Sequence, residues 1–411
     1  MRALRAAAGR VAWVLAGALA TSAVILGAES IGRTPPETPA PARPEASALP
    51  APSAAPPAAR SGNVLLAWAT GAGLPPESER VLEDLRGVTA VTVVEAGMEW
   101  LAASFDADGS LLDRPRKPFA IPLEVAAVDP DDYAAFVPVA ERDDVLALGP
   151  RDALLPATGA ELRRAGPGST LALETGRFTV SGVVSDAATG GYEALLSRAA
   201  RRDWADVETY ALVRVRSPHL RARVRKTLKA LLEPGDLLQM RAEGENPFLR
   251  YGDAVLPQLV VKSVFGEFAA SPQPDGFLDV DPVWRRTNIR TAPVPLLGHV
   301  TCHRSLFPQL RRALRRVASS NLSFAVDATD FGGCYSARFI NRDPEGRISH
   351  HSWGIAVDVN VGENAYGTKA DQDMRLVRIM EQAGFTWGGR WVVPDGMHFE
   401  WNEFPGPGPK G

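Results

Sequence analysis

Residues 33–61, RTPPETPAPARPEASALPAPSAAPPAARS, contain no aromatic residue and are dominated by proline and alanine. Such a stretch cannot bury a core, and its prolines bias it toward extended polyproline II. It divides the chain, so that whatever precedes it folds apart from whatever follows. At roughly 3.1 Å per residue it can hold a folded unit some tens of Å from its point of attachment. Before it, a basic flank of Arg2, Arg5 and Arg10 leads into an uncharged apolar run from Val11 to Ala28. That order marks residues 1–32 as a secretory signal or a signal anchor, with a run at the lower edge of what spans a bilayer. Either reading exports the rest of the chain.

The 411 residues exceed one ordinary domain, and two globular units are expected after the linker, 62–267 and 268–411. A net charge of −3 gives no reason to expect nucleic acid as a partner. The two cysteines, Cys302 and Cys334, are too few for a Cys-rich metal site. In an oxidising compartment they are expected to form a disulfide. Closing a loop of about thirty residues stabilises by roughly 3–4 kcal/mol in the chain-entropy account.

The region 62–267 reads as mixed α/β. Residues 65–68 (LLAW) and 88–94 (VTAVTVV) have strand character around a helix starting near Pro76. Residues 170–184 alternate on both sides of a Thr-Gly pair and predict a hairpin. A helix over 218–232 follows, capped by Ser217 with Pro218 in its first turn, its apolar stripe formed by Leu220, Val224, Leu228 and Leu231. Arg221, Arg223, Arg225, Lys226 and Lys229 lie between them; such a basic face can touch anionic lipid or polymer, and the expectation here is the ordinary solvated face of an amphipathic helix. The stretch 156–184 resembles the extracytoplasmic domain of exporter-type ABC permeases in its succession of helix, turn and hairpin; no function comes with that resemblance. The region holds no nucleophile elbow, phosphate loop or metal-ligand spacing.

The chemistry lies after residue 330. In SHHSWGIAVDVN, residues 349–360, His351 precedes Asp358 by seven residues, and Asp358 shares a strand face with Ala356 and Asn360. In GFTWGGRWVVPDGMHFEW, residues 384–401, Asp395 and His398 are three apart, and His398 shares a face with Glu400. Two histidines and one carboxylate make a three-ligand set with an open fourth position, the catalytic arrangement of zinc. Imidazole and carboxylate without thiolate also suit zinc.

The pattern S-x-H-x-x-G-x-A-x-D followed by D-x-M-H-F-E resembles the M15 family of zinc peptidases. The closest likeness is to L-alanyl-D-glutamate peptidases, with D-alanyl-D-alanine carboxypeptidases as relatives. It extends upstream through LGHVTCHRSLFPQL and FGGCYSARFI and downstream through FTWGGRW, over about 120 residues. The resemblance implies Zn2+ held by His351, Asp358 and His398, with Asp395 as general base. It implies Arg338 as the arginine that pairs with substrate oxygen or carboxylate, and Ser349 as a pocket-lining serine. Trp391 could wall a substrate cleft or simply pack. The implied fold is α+β, helices packed on a small antiparallel zinc-bearing sheet, preceded by the separate mixed α/β domain, the linker and the N-terminal membrane segment. Leu306, Leu310, Leu314 and Val317 predict one of those helices, and Asp371 is expected to cap a second. Residues 323–331 read as a strand. The expected partner is a peptidoglycan stem peptide, met outside the cytoplasm. The alternative is a non-catalytic zinc-containing module that binds the wall or signals, which would have no need of Asp395 or Arg338.

Overall fold

The structure, a computed structural model, describes residues 63–404 apart from 72, 201–206, 244, 246–251 and 253–255. The apolar run at 11–28 and the Pro/Ala-rich stretch lie outside the described residues. Among those described, no helix is long and apolar enough to cross a membrane.

Runs of aliphatic and β-branched residues give the first ten strands. They are β1 Val64–Ala69, β2 Val88–Phe105, β3 Leu111–Asp113, β4 Ile121–Val128, β5 Asp152–Pro156, β6 Thr170–Leu173, β7 Gly176–Val184, β8 Ala194–Ser197, β9 Glu208–Val215 and β10 Leu238–Ala242. They form one mixed sheet in the order β10-β1-β9-β2-β4-β8-β5-β7-β6, with β3 paired to β2. β1 and β4 are buried along their whole lengths, which explains the unbroken apolar run of β1 and an apolar β4 interrupted only by Glu124. β7 instead alternates buried and solvent-facing residues, as a strand with one wet face must. The 18-residue β2 pairs with β9 and β4, and its last part, Leu101–Phe105, pairs with β6. Since β6 also ends the strand order, the sheet curls round and closes on β2. Leu101, Val125, Leu155, Leu171 and Phe178 form a core of their own in that closed part. The expected hairpin is β6–β7, and Ser217 does cap its helix, accepting from the His219 amide at 3.4 Å. That helix begins as a 3-10 turn at Pro218–Leu220, and its α-helical part, Arg221–Lys229, stops short of residue 232.

The C-terminal part is built on smaller sheets. Hairpins β11 Ala270–Pro272 with β12 Leu278–Val280 and β13 Ile289–Val294 with β14 Gly298–His303 come first. β15 Phe331–Gly333, β16 Ala356–Val359, β17 Phe385–Trp387 and β18 His398–Trp401 then form an antiparallel sheet ordered β15-β16-β18-β17. Helices Phe307–Ser319 and Met374–Gln382 bury Leu310, Leu314 and Val317, and Leu376, Val377 and Met380, in the same core. That core also takes in Val261 and Phe265 from helix Gln258–Phe265, which precedes residue 268. Cys302 of β14 is bonded to Cys334, their Cα atoms 5.4 Å apart.

Two local expectations are corrected. Residues 323–331 are not one strand but two 3-10 turns, Ser323–Ala325 and Ala328–Asp330, before β15. Asp327 turns the chain there, its carboxylate accepting from the amide and hydroxyl of Thr329. The cap of helix Met374–Gln382 is Asp373, which accepts from the Arg375 amide at 2.8 Å. Asp371 lies upstream, its own amide bound to Asn364 Oδ1.

Charge is buried where the large sheet meets helix Gln258–Phe265. Lys262 Nζ lies 2.6 Å from Glu193 and 3.3 Å from Glu267, and Arg163 reaches both carboxylates. The Gln258 side-chain amide donates a hydrogen bond to Glu193 at 2.7 Å. These opposed charges satisfy one another, as buried ions must.

Candidate metal centre

β16 and β18 are antiparallel neighbours, and Asp358 stands directly opposite His398. Residues so paired project from the same face of a sheet, which brings the two halves of the sequence pattern together. His351 arrives from the 3-10 turn His350–Ser352, capped by the Ser349 side chain, which accepts from the His351 amide. Gly354 follows at φ +68, and a Cβ there would meet the His303 amide nitrogen at 2.6 Å. Only glycine lets the chain pass β14 so closely before it enters β16.

The three side chains converge. His351 Nε2 is 3.2 Å from His398 Nδ1 and from Asp358 Oδ1, and His398 Nδ1 is 3.1 Å from the same oxygen. All three residues are buried. The tautomers follow from the outer partners. His351 Nδ1 is 2.8 Å from the Cys334 carbonyl, which can only accept, so that nitrogen carries the proton and Nε2 has a lone pair. His398 Nε2 faces the Glu400 carboxylate at 3.4 Å, so in the neutral imidazole it carries the proton and Nδ1 the lone pair. Three lone pairs thus point at one another, an arrangement that calls for a cation. The residues fit a zinc ion, with Cys334 and Glu400 orienting the imidazoles from behind.

The electrostatics show the same pull toward positive charge: without a metal, a proton on His398 supplies it. Burial, the largest influence on His398, lowers its pKa, yet hydrogen bonds to Asp358 and Glu400 carry it up to about 10. Burial would raise Asp358, but His351 and His398 hold it well below the usual carboxylate range. Glu400 is likewise held down, against burial, by His350, whose Nδ1 lies 2.8 Å away, and by His398.

Asp395 sits on the turn before β18. Its amide donates to the Gly388 carbonyl at 3.0 Å, and a Cβ at Gly388 would come within 2.7 Å of the Asp395 carbonyl oxygen. Burial raises its carboxyl and nearby Asp358 adds to the rise, opposed by His398, His351 and Arg338. Its Oδ1 is buried with no hydrogen-bond partner among the described residues. Arg338 is lowered by burial, while Asp358 and Asp395 raise it.

Asp395, Arg338, Ser349 and Trp391 line one cleft of about 480 Å3 with the three converging residues. The Trp391 ring lies 5.2 Å from that of His398. The large sheet supplies another wall of this cleft through Trp68 and Glu208, with Thr70 just past the end of β1. Arg347 Nε, 3.0 Å from Glu208, ties the loop leading to Ser349 to β9. The doubled histidine was a visible signal for His350, the partner of Glu400. The Cys334 carbonyl and the wall of Trp68 and Glu208 had none, since they depend on the fold.

Residues 342–401 match the M15 peptidase profile described as D-alanyl-D-alanine carboxypeptidase. The C-terminal region is an M15-family peptidase module. The M15 match covers β16 and β18 and so both halves of the converging set. No curated protein matches the chain. Among solved structures, the periplasmic region of MacB from Actinobacillus actinomycetemcomitans is similar at 11% identity and a TM-score of 0.32, over 44% of this chain and 89% of that one. A likeness of that size carries no argument about fold or role.

Proposed function

We propose that the chain is an extracytoplasmic zinc metallopeptidase that hydrolyses peptidoglycan stem peptides. The observation that carries this reading is the convergence of three lone pairs beside the unpartnered, buried oxygen of Asp395. His351, Asp358 and His398 would hold the zinc. When bound, the metal supplies a Lewis acid and lowers the pKa of a water toward about 7. Asp395 takes a proton from the attacking water and passes it to the departing amine as the peptide bond breaks. Its raised pKa brings it nearer the working pH, where a base that must also act as an acid is most effective. Arg338 fixes a substrate carboxylate or carbonyl oxygen with its guanidinium fork. Ser349 and Trp391 bound the cleft, Ser349 also fixing the turn that presents His351.

In this reading residues 268–411 are the peptidase domain and 62–267 a separate domain that contributes one side of its cleft. Residues 1–32 either anchor the protein in the membrane, with 33–61 as the tether, or are removed on secretion, leaving 33–61 as a linker. Two bonds are candidates, L-Ala-D-Glu within the stem and D-Ala-D-Ala at its end. Incubating the purified zinc-loaded ectodomain with soluble muropeptides and weighing the products distinguishes them. Loss of a terminal alanine marks a carboxypeptidase, and separation of alanine from glutamate an endopeptidase. Intact muropeptide contradicts the proposal.

A further inference from the structure

The chain is net −3, yet residues 282–326 hold eight arginines and no aspartate or glutamate. These residues build helix Pro282–Asn288, the β13–β14 hairpin and helix Phe307–Ser319. In the last of these, Arg311 and Arg315 repeat at helical spacing beside Arg312 and Arg316, opposite the buried stripe of Leu310, Leu314 and Val317. Arg312, Arg315 and Arg316 are exposed, as are Arg286, Arg290 and Arg304. None makes an ion pair among the described residues; their bonds go to carbonyls and an amide, Arg290 to Arg286, Arg315 to Arg311 and Arg312 to Gln309. The two groups of arginines share one surface. Arg311 Nε donates to the Pro293 carbonyl at 2.9 Å, and Arg290 lies three residues back on the same strand, about 10 Å along it. The Arg304 amide, in turn, binds the Asn288 carbonyl at the end of helix Pro282–Asn288.

We propose that this arginine face holds polymeric peptidoglycan through the carboxylates of its stem peptides, a proposal that rests on the peptidase reading above. Uncompensated positive charge on one side of an acidic chain both attracts a polyanion and orients the protein toward it. Guanidinium groups match carboxylates bidentately. A lipid surface fits less well, because a membrane-seated face carries large apolar side chains among its basic ones. Within residues 282–326 only Val283 and Phe324 are large hydrophobic side chains that are strongly exposed, and the Phe324 ring lies under the Arg375 guanidinium at 5.4 Å. The face is joined to the metal centre through β14: Cys302 bonds Cys334, whose carbonyl holds His351. A polymer held there is fixed against the module that presents the ligands.

The test pairs two readouts on the full chain. Pelleting with insoluble peptidoglycan measures retention, and cleavage of a soluble muropeptide measures the site. The variant Arg312→Gln/Arg315→Gln/Arg316→Gln should lose retention by about tenfold at low salt, while the corresponding three lysine substitutions should keep most of it. Soluble cleavage should stay within about twofold of the parent in both variants, since the substituted groups lie on a solvated face. Retention of the parent should fall as salt approaches about 1 M, where charges are screened beyond about 3 Å. The proposal is overturned if the glutamine variant pellets like the parent, if parental retention ignores salt, or if anionic vesicles bind the parent and peptidoglycan does not. A parent that leaves soluble muropeptide intact speaks against the peptidase reading, and the pelleting comparison still decides the role of the arginine face.

Discussion

Two groups of buried charge in this chain are built in opposite ways. Around Lys262 every ion faces its opposite: Glu193 and Glu267 meet Lys262 and Arg163, and Gln258 takes up a remaining acceptor. Glu267 shows the effect: burial would raise its carboxyl, but Lys262 and Arg163 hold it down. Around His351 the outward bonds are equally well made, yet with both imidazoles neutral the inward-facing atoms of His351, Asp358 and His398 are all acceptors. Without a metal, a proton held on His398 must stand between them. The first group is closed and joins two parts of the fold. The second is complete only with a cation. His303 makes a third case, buried against Phe265 and Trp284 and pushed down to about 4 by that burial. A buried histidine alone therefore identifies nothing; convergence of unsatisfied lone pairs does.

The contrast can be broken or sharpened by substitution, taken in order of effect on turnover. Asp395→Asn keeps size and hydrogen bonding but removes the base, so kcat should fall by about 10²-fold or more with zinc retained. Near-parental kcat would move the base elsewhere, and a dead Glu400→Gln beside it would point to Glu400. In the present account Glu400→Gln acts through His398 and should weaken zinc affinity by about 10–100-fold, with activity recovering as zinc is added. Arg338→Lys retains charge but loses the fork, and should lower kcat/KM about tenfold with metal content and Tm unchanged. An unaltered kcat/KM would remove Arg338 from the site. Lys262→Met should do the reverse. It leaves Glu193 without its closest cation and should destabilise by about 3–5 kcal/mol, while zinc content and kcat per folded chain stay as they were. A change in zinc content there would mean that the two groups are coupled.

Much of the site was legible because its residues fall in two short segments whose periodicity is local. Strand alternation placed Asp358 and Glu400 on the correct faces, and the order Ser349, His351, Gly354, Asp358 carried the family likeness into a region where 342–401 also match the family profile. The cysteine pair was legible for a simpler reason, since there were only two to join. What escaped depends on contacts between distant residues. The closure of the large sheet rests on pairing of β2 with β6, some seventy residues later, which no local period reports. Residues 323–331 have strand composition, but Asp327 engages Thr329 and its amide binds Asn360 from across the chain, so local side-chain bonds override propensity. Helix Gln258–Phe265 looks like the end of one region by sequence and packs in the core of the next.

The most direct test of the central claim, that the three converging lone pairs form a metal centre, is the zinc content of purified chain and two variants, read by elemental analysis. The account predicts close to one zinc per parent chain and almost none in His351→Ala or His398→Ala, each of which removes one of the three donors while Asp358 stays in place. Full zinc retention in both variants would contradict it.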